Sequence, residues 1–591
     1  MNQNEPDFKR IFWTMLMAAV LLMVWQAFVE WPRRQALGQY HAQKIVEQQH
    51  EKEKQIASFA TKDSDPESNP NLDRKGRLAL SPRLAIRSNN VHGSVALKGL
   101  RFDDLTLAKY RETLEPESPE VVLFSPNGDE KSYFAQIGWL SQDGTKVPDK
   151  DSVWQTNSKQ LITGEPVQLR WNNGSGVTFI VSIALDNAYM FDVQQKVENK
   201  SGKAISIMPY AFINRAFEIP KHHAVISHEG PIGVLLGALD EIPYSDLKDT
   251  GEKTYDDAKG WLGITDKYWL SALVPSDPSF KASFSYYNKS GKDRYQVDYL
   301  NDPITLDEGE SKTTTLRLFA GAKEIDVLDY YAKGDEVSNS APIPLFDRAV
   351  DFGVLYFLTK PLFLTLNYFY SHIGNFGVAI LLLTIVVKLV LYPLANKSYK
   401  ATSRIRELQP ELTKIREKYG DDPMAMQKET LALYKKEKVN PASGCLPLLI
   451  QMPIFFALYK VLYVTIEMRH APFFGWLKDL SAADPTNIFT LFGLIDWNPP
   501  TMLHIGVLPI LYCISMVIQM RQQPKPTDPV QAKMMKFMPY FLLVVMAQFS
   551  AGLILYWIWS NILSIAQQEF ISRRHKKPRA SKKRAASHSH E

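Results

Sequence analysis

Cysteine is almost absent from this 591-residue chain: only Cys445 and Cys513 occur, and both lie in apolar runs, so a disulfide scaffold is excluded. An excess of one charge is lacking too. Lys and Arg total 68 against 63 Asp and Glu, a net charge of +5, which does not mark a general nucleic-acid or DNA binder. HExxH, C-x-x-C, GxSxG and Walker A motifs are all missing, so the commonest metal, nucleophile and nucleotide signatures are unavailable to an enzyme reading. Between about residue 33 and residue 345 no apolar run is long enough to span a bilayer. The chain is 45% hydrophobic, which excludes disorder and collagen-like structure. Its mean hydropathy of -0.20 suggests a soluble protein only because the apolar residues are concentrated elsewhere.

They sit in blocks. The first, Ile11 to Val29, follows Lys9 and Arg10 and ends in Phe28, Val29, Glu30, Trp31 and Pro32, with no small-residue cleavage site. Roughly twenty apolar residues cross a hydrocarbon core of about 30 Å, so 11–30 reads as an uncleaved signal anchor after a cytoplasmic 1–10; a cleaved peptide is the alternative. Later blocks predict spans at about 372–394, 442–466, 502–520, 534–549 and 551–570. The long run 534–570 divides at Ser550, Ala551 and Gly552, where small residues permit a turn.

Charge sets the orientation. The segment 396–440 carries Lys397, Lys400, Arg404, Arg406 and many more basic residues, whereas Arg469–Pro500 carries only Arg469 and Lys478. By the positive-inside rule the first is cytoplasmic and the second faces outward. The basic tail 571–591 is cytoplasmic as well. The expectation is six spans with both ends inside and residues 31–345 outside.

The external region reads as a linker to about 75, through Thr61–Asn71, followed by a β-sandwich. Tyr189, Phe191, Val193 and Val197 alternate with mostly polar residues, and Val177–Leu185, Ala282–Tyr287 and Thr313–Phe319 also read as strands. Asn127-Gly128 and Asn173-Gly174 are turn dipeptides. His222, His223 and His228 form the one histidine cluster; surface-loop residues are the plainer reading than a metal site. Residues 346–362 suggest an amphipathic interfacial helix with Phe346, Val350, Val354 and Phe357 on one face, or else a core helix of the external domain. Segment 396–440 suggests a helical hairpin broken at Tyr419–Pro423. Its basic face suits lipid headgroups or ribosomal RNA, or is simply solvated.

One residue in the apolar spans stands out. Lys388 lies in ILLLTIVVKLVLYP, about 13 Å into a straight helix counted from Lys397. Snorkelling would carry its ammonium part of the way to the headgroups. Burial in hydrocarbon costs about 2.5–3.5 kcal/mol on insertion scales, which a water-filled cavity would largely remove. Gln451, Gln519, Gln548, Tyr556, Ser560, Asn561, Ser564, Gln567 and Gln568 add polar groups to the same spans. Asn561, Ser564 and Gln568 share one helical face, as expected of a wet interior groove or of ordinary helix–helix glue.

Five motifs then carry a resemblance: Gly444–Phe455 (GCLPLLIQMPIF), Glu437–Pro441 (EKVNP), Thr527–Pro529 (TDP), Lys533–Pro539 (KMMKFMP) and Gly552–Tyr556 (GLILY). From about Ala341 to Phe570 the chain resembles the YidC membrane protein insertases in their six-span Gram-negative form. The resemblance implies a polytopic α-helical membrane protein of six transmembrane helices, with an insertase core of five over 363–570 and a large periplasmic β-sandwich domain related to sugar-mutarotase folds. It implies a bacterial inner-membrane location and a groove open to cytoplasm and lipid, whose single cation corresponds to Lys388. Many relatives carry Arg there, so this chain keeps the charge and loses the bidentate fork. Gln451, Tyr556, Trp557, Asn561 and Ser564 match groove or substrate-contact positions.

The implied activity is chaperoned insertion of nascent membrane proteins without nucleotide, cofactor or metal, and without enzymatic chemistry. Partners would be the Sec translocon, the ribosome at the basic cytoplasmic loops and tail, and phospholipid. A secondary transporter using the intramembrane lysine is the alternative, although internal repeats are not visible. A membrane-anchored enzyme would need an acid–base or metal constellation in the external domain.

Overall fold

A computed structural model describes residues 72–217, 227–289, 291–335, 340–420, 422–439, 446–495, 497, 499–500, 504–523 and 529–575. The expected anchor at 11–30, the linker through Asn71, His222, His223, Cys445 and most of the basic tail lie outside the described residues.

Residues Arg83 to Ala322 build two facing, mainly antiparallel sheets, one of 11 strands and one of 8. In the larger, Ile205–Ala216 pairs with Tyr133–Ser141 and Lys292–Leu300, with Tyr210 opposite Gly138. In the smaller, Met190–Asn199 lies between Val177–Leu185 and Ser311–Ala322. Period-two patterning explains the packing. Phe191, Val193 and Val197 are buried, while Asp192 and Gln194 face solvent. Two polar residues on the inward face are satisfied: Gln195 donates to the Gly138 carbonyl across the sandwich at 3.1 Å, and Asn199 to the Leu306 carbonyl at 3.0 Å. Aromatic rings close the core. Trp139 meets Phe179 edge-on at 5.0 Å, and Phe102 of the first sheet meets Phe191 of the second at 5.4 Å. Asn173-Gly174 turns the hairpin between Val167–Asn172 and Val177–Leu185. This domain is a β-sandwich.

Short helices α1 (Arg74–Leu78), α2 (Tyr244–Thr250) and α3 (Ile325–Lys333) flank the sheets. The helix expected over 346–362 begins only at α4 (Tyr356–Ile373). Before it, Phe346–Ala349 is a single tight turn. Tertiary contact overrides the pattern here. Phe346 is drawn among Trp261, Phe319 and Tyr331, the buried Lys323 ammonium donates to the Ala349 carbonyl, and Gly353 adopts the left-handed conformation. The predicted apolar face is therefore split: Phe346 and Val350 are buried, while Val354 and Phe357 are exposed.

The remaining helices are α5 (Phe376–Val390), α6 (Tyr392–Glu407), α7 (Gln409–Tyr419), α8 (Pro423–Lys436), α9 (Leu446–Val464), α10 (Val507–Arg521), α11 (Pro529–Met546) and α12 (Ala551–His575). Asp422 caps α8 by accepting from the Met424 and Ala425 amides. The long apolar run after 529 is two helices, α11 and α12, separated at 547–550. α12 packs against α5 and α10, and α4 against α5 and α9.

Among the described residues no single helix is long and apolar enough to cross a membrane; α5 and α6, bent by 68° at their break, reach that length and composition together. The sequence explains why: α11 carries Lys533 and Lys536, and α12 carries Asn561, Gln567, Gln568 and Glu569. The bend follows from Pro393, whose missing amide proton interrupts the hydrogen-bond ladder at the start of α6.

Candidate functional site

Asn375 starts α5 by accepting from the Val378 amide at 3.0 Å. Ala379, Ile380, Leu383, Thr384 and Val387 then form its buried face. Lys388, one turn after Thr384, falls at the margin of that face and is half-buried. Because the chain bends beyond Val390, Lys388 occupies the last turn of α5, at the elbow with α6. A straight-helix count from Lys397 therefore does not measure its depth. A cation in a last turn also meets the negative end of the helix dipole.

The ammonium donates to the Ser564 hydroxyl at 2.9 Å. That hydroxyl spends its own proton on the Ser560 carbonyl at 2.8 Å, leaving its lone pairs for the lysine. The Tyr399 hydroxyl of α6 lies close to the same Ser564 side chain. Among the described residues no carboxylate interacts with Lys388. The site is thus a charge held by a neutral acceptor, with capacity left for an incoming anion.

The face of α12 on either side continues the polar seam. Toward one end, the Gln451 amide of α9 donates to the Tyr556 hydroxyl at 2.5 Å, with Tyr556 almost fully buried. Beside it, Trp557 is held by Phe455 and Tyr512 at ring separations of 5.3 and 6.0 Å. The Trp557 indole nitrogen is buried and has no partner among the described residues, a donor that invites water or a peptide carbonyl. Asn561 donates to Ser515 of α10 at 2.9 Å, and Gln568 to the Gln522 carbonyl at 3.0 Å. Past Gln568 the seam opens into a small polar cleft lined by Tyr399, Thr402, Arg406 and Gln522.

All six sequence-predicted residues lie on this seam. Lys388 and Ser564 make one pair, Gln451 and Tyr556 another, and Trp557 and Asn561 lie between them on α12. Gln548 does not join; it is exposed in the turn after α11. Sequence reading missed Ser515 and Tyr399. Ser515 was detectable as a hydroxyl within the apolar run of α10. Tyr399 was not, because only the elbow brings it to Ser564.

Among its described residues the external domain brings together no competing centre. His228 is half-buried, with its amide on Asp351 at 3.0 Å and its ring on the Pro231 carbonyl. Among the described residues no cluster of His, Cys, Asp or Glu could hold a metal ion. Beside a continuous apolar core, polar contacts join this domain to the helices: Lys460 pairs with Asp351 at 2.8 Å, Lys360 with Asp329 at 2.6 Å, and the Ile325 amide donates to Glu467 at 3.1 Å.

Comparison with known proteins bears on both halves. Residues 368–579 match the 60Kd inner membrane protein family, and residues 83–365 match the YidC periplasmic domain family. A membrane protein insertase YidC of Rickettsia bellii is 45% identical over 566 residues, covering 94% of this chain and 98% of the relative. That of Rickettsia felis is 48% identical over 494 residues, covering 83% and 87%. A crystal structure of an active YidC insertase aligns over 82% of this chain and 94% of its own, at 18% identity and a TM-score of 0.35.

Proposed function

Because the chain belongs to the YidC family of membrane protein insertases, whose relatives are inner-membrane proteins with a periplasmic domain, we propose that its polar seam is a hydrophilic groove for the polar ends of nascent membrane proteins. Lys388, Gln451, Tyr556, Trp557, Asn561 and Ser564 line it. The observation that carries this reading is the Lys388 ammonium resting on a neutral hydroxyl, with no carboxylate partner among the described residues.

The energetics are simple. A short polar tail resists entry into hydrocarbon because its charges and peptide groups lose water. In the groove, the Lys388 charge attracts acidic side chains, while the amides and hydroxyls of Gln451, Asn561 and Ser564 replace part of the hydration. The adjoining apolar segment then moves laterally into lipid. Its burial at about 25 cal/mol per Å² drives the transfer without nucleotide.

This reading includes six spans with both termini cytoplasmic, 31–345 in the periplasm, and the hairpin α6–α8 with the basic tail facing the ribosome and anionic phospholipid. Work alone or beside the Sec translocon is part of it, and no cofactor or metal takes part. The decisive experiment replaces Lys388 with Met or with Arg and assays insertion of a small client bearing an acidic periplasmic tail. Loss with Met and retention with Arg support the groove; unchanged insertion with Met removes the charge from the mechanism.

A further inference from the structure

The connection between α9 and α10 exposes a cluster of large apolar side chains that the groove does not use. Leu491, Phe492, Leu494, Ile495 and Trp497 all face outward, with Leu494 86% and Phe492 62% exposed. From Phe489 to Ile495 the sequence contains no charge. A contiguous apolar patch on a protein surface marks a contact with something other than water.

The loop is built to hold this patch rigidly. Asp484, itself 2% exposed, accepts from the Trp476 indole at 3.2 Å, from the Thr486 amide at 3.0 Å and from the Leu508 amide at 2.8 Å. A Cβ on Gly506 would lie 2.6 Å from the Asp484 carboxyl carbon, so the backbone closes directly over this hub. Buried Asn487 accepts from the Phe489 amide through its side chain and from the Phe492 amide through its carbonyl, both at 3.0 Å. Beyond Asn487, Leu491 and Phe492 take φ of 45° and 60°. Bulky residues rarely adopt that left-handed region, because the Cβ crowds the backbone there. The loop therefore accepts backbone strain in order to turn apolar side chains away from the protein.

Two observations identify the occupant. The loop is tied to the start of α10 by the Ile488 amide on the Ile505 carbonyl, and α10 carries an exposed apolar stripe, Leu511, Ile514 and Ile518, spaced at i, i+3 and i+7 as a lipid-facing helix surface would be. At its other end the loop passes under the β-sandwich, where the Arg469 guanidinium donates to the Arg111 carbonyl at 2.6 Å. A surface lying between a bilayer-facing stripe and a water-facing domain, with Trp476 and Trp497 exposed in the same connection, matches the chemistry of the lipid interface.

We propose that Leu491–Ile495 is a wedge that inserts into the acyl region of the outer leaflet, its occupant being phospholipid rather than another protein. This rests on the outward orientation of 469–500 given under Proposed function.

The test uses the full chain with Cys445 and Cys513 changed to Ser, reconstituted in phosphatidylethanolamine–phosphatidylglycerol vesicles. An environment-sensitive fluorophore is placed at Leu494→Cys, at Phe492→Cys, or at Leu236→Cys, an exposed site on the sandwich. Lipids brominated in their chains should quench positions 492 and 494 at least threefold more than position 236, and aqueous iodide should do the reverse. Iodide quenching at 494 equal to that at 236 overturns the wedge. Shielding from both quenchers overturns it as well, because a protein would then cover the patch. A membrane-impermeant maleimide applied to spheroplasts tests orientation separately at Lys478→Cys. Labelling supports the outward loop; no labelling until the membrane is permeabilised overturns the orientation, whatever position 494 reports.

Discussion

Lys388 in the last turn of α5 and Ser564 on α12 are 176 positions apart in the chain, yet the ammonium of one lies 2.9 Å from the hydroxyl of the other. That bond holds the cation at the polar seam instead of leaving it to reach for headgroups. Ser564→Ala removes the acceptor without touching the charge. Insertion of an acidic-tailed client should fall roughly two- to tenfold, matching a hydrogen bond of about 0.5–1.5 kcal/mol. Adding Ser564→Ala to Lys388→Met should cost nothing more. Additive losses in that double-mutant cycle would show that the pair does not act together.

Tyr556→Phe strips the Gln451 amide of its acceptor within the bundle. The expected cost is about 1 kcal/mol, read from equilibrium unfolding in detergent micelles. Gln451→Leu in the same background should recover part of it, because no buried donor then remains unpaired. Failure of the second substitution to recover stability would mean that the amide already has access to water.

Glu467, buried where the β-sandwich meets the helices, has its carboxyl pushed up to about 7, first by burial and then by the neighbouring Glu324 and Asp326 charges. Its folded pKa exceeds the unfolded one, so its contribution is fully present below about pH 4.5 and is lost as pH rises through about 7. Glu467→Gln keeps an acceptor for the Ile325 amide and removes the titration. The variant should gain on the natural protein by about 1–3 kcal/mol between pH 5 and pH 8. Denaturant midpoints across that range check the sign; parallel curves would place no titration at this residue.

Gly377, at the start of α5, has no room for a side chain, since a Cβ would lie 2.0 Å from the Phe473 ring. Gly377→Ala should destabilise the bundle by about 1–3 kcal/mol. Combining it with Phe473→Leu should relieve most of the loss, measured by the same unfolding assay. No loss in the single variant would mean that the α9–α10 loop gives way without cost.

The strands were legible because an alternating pattern has one buried face whatever the partner strand is; Met190–Asn199 is an example. The polar positions of α12 were legible for a similar reason: Asn561 and Ser564 stand out in an apolar run. The helix start at Tyr356 was not legible. Local periodicity favoured 346–362, but Phe346 gains more by entering the aromatic cluster of the sandwich than by extending a helix. The depth of Lys388 was also hidden, because Pro393 marks a break without giving its angle.

Residue order alone settled that strands come first and helices after, that a lysine falls near the end of the apolar run 376–390, and which family the chain joins, since each depends on short-range pattern or on motif. Which hydroxyl receives the Lys388 ammonium, which tyrosine holds Gln451, and which apolar side chains the α9–α10 loop turns outward were decided only when distant helices packed. Hydrogen bonds reach about 3 Å, and no sequence spacing brings positions 388 and 564 within that range.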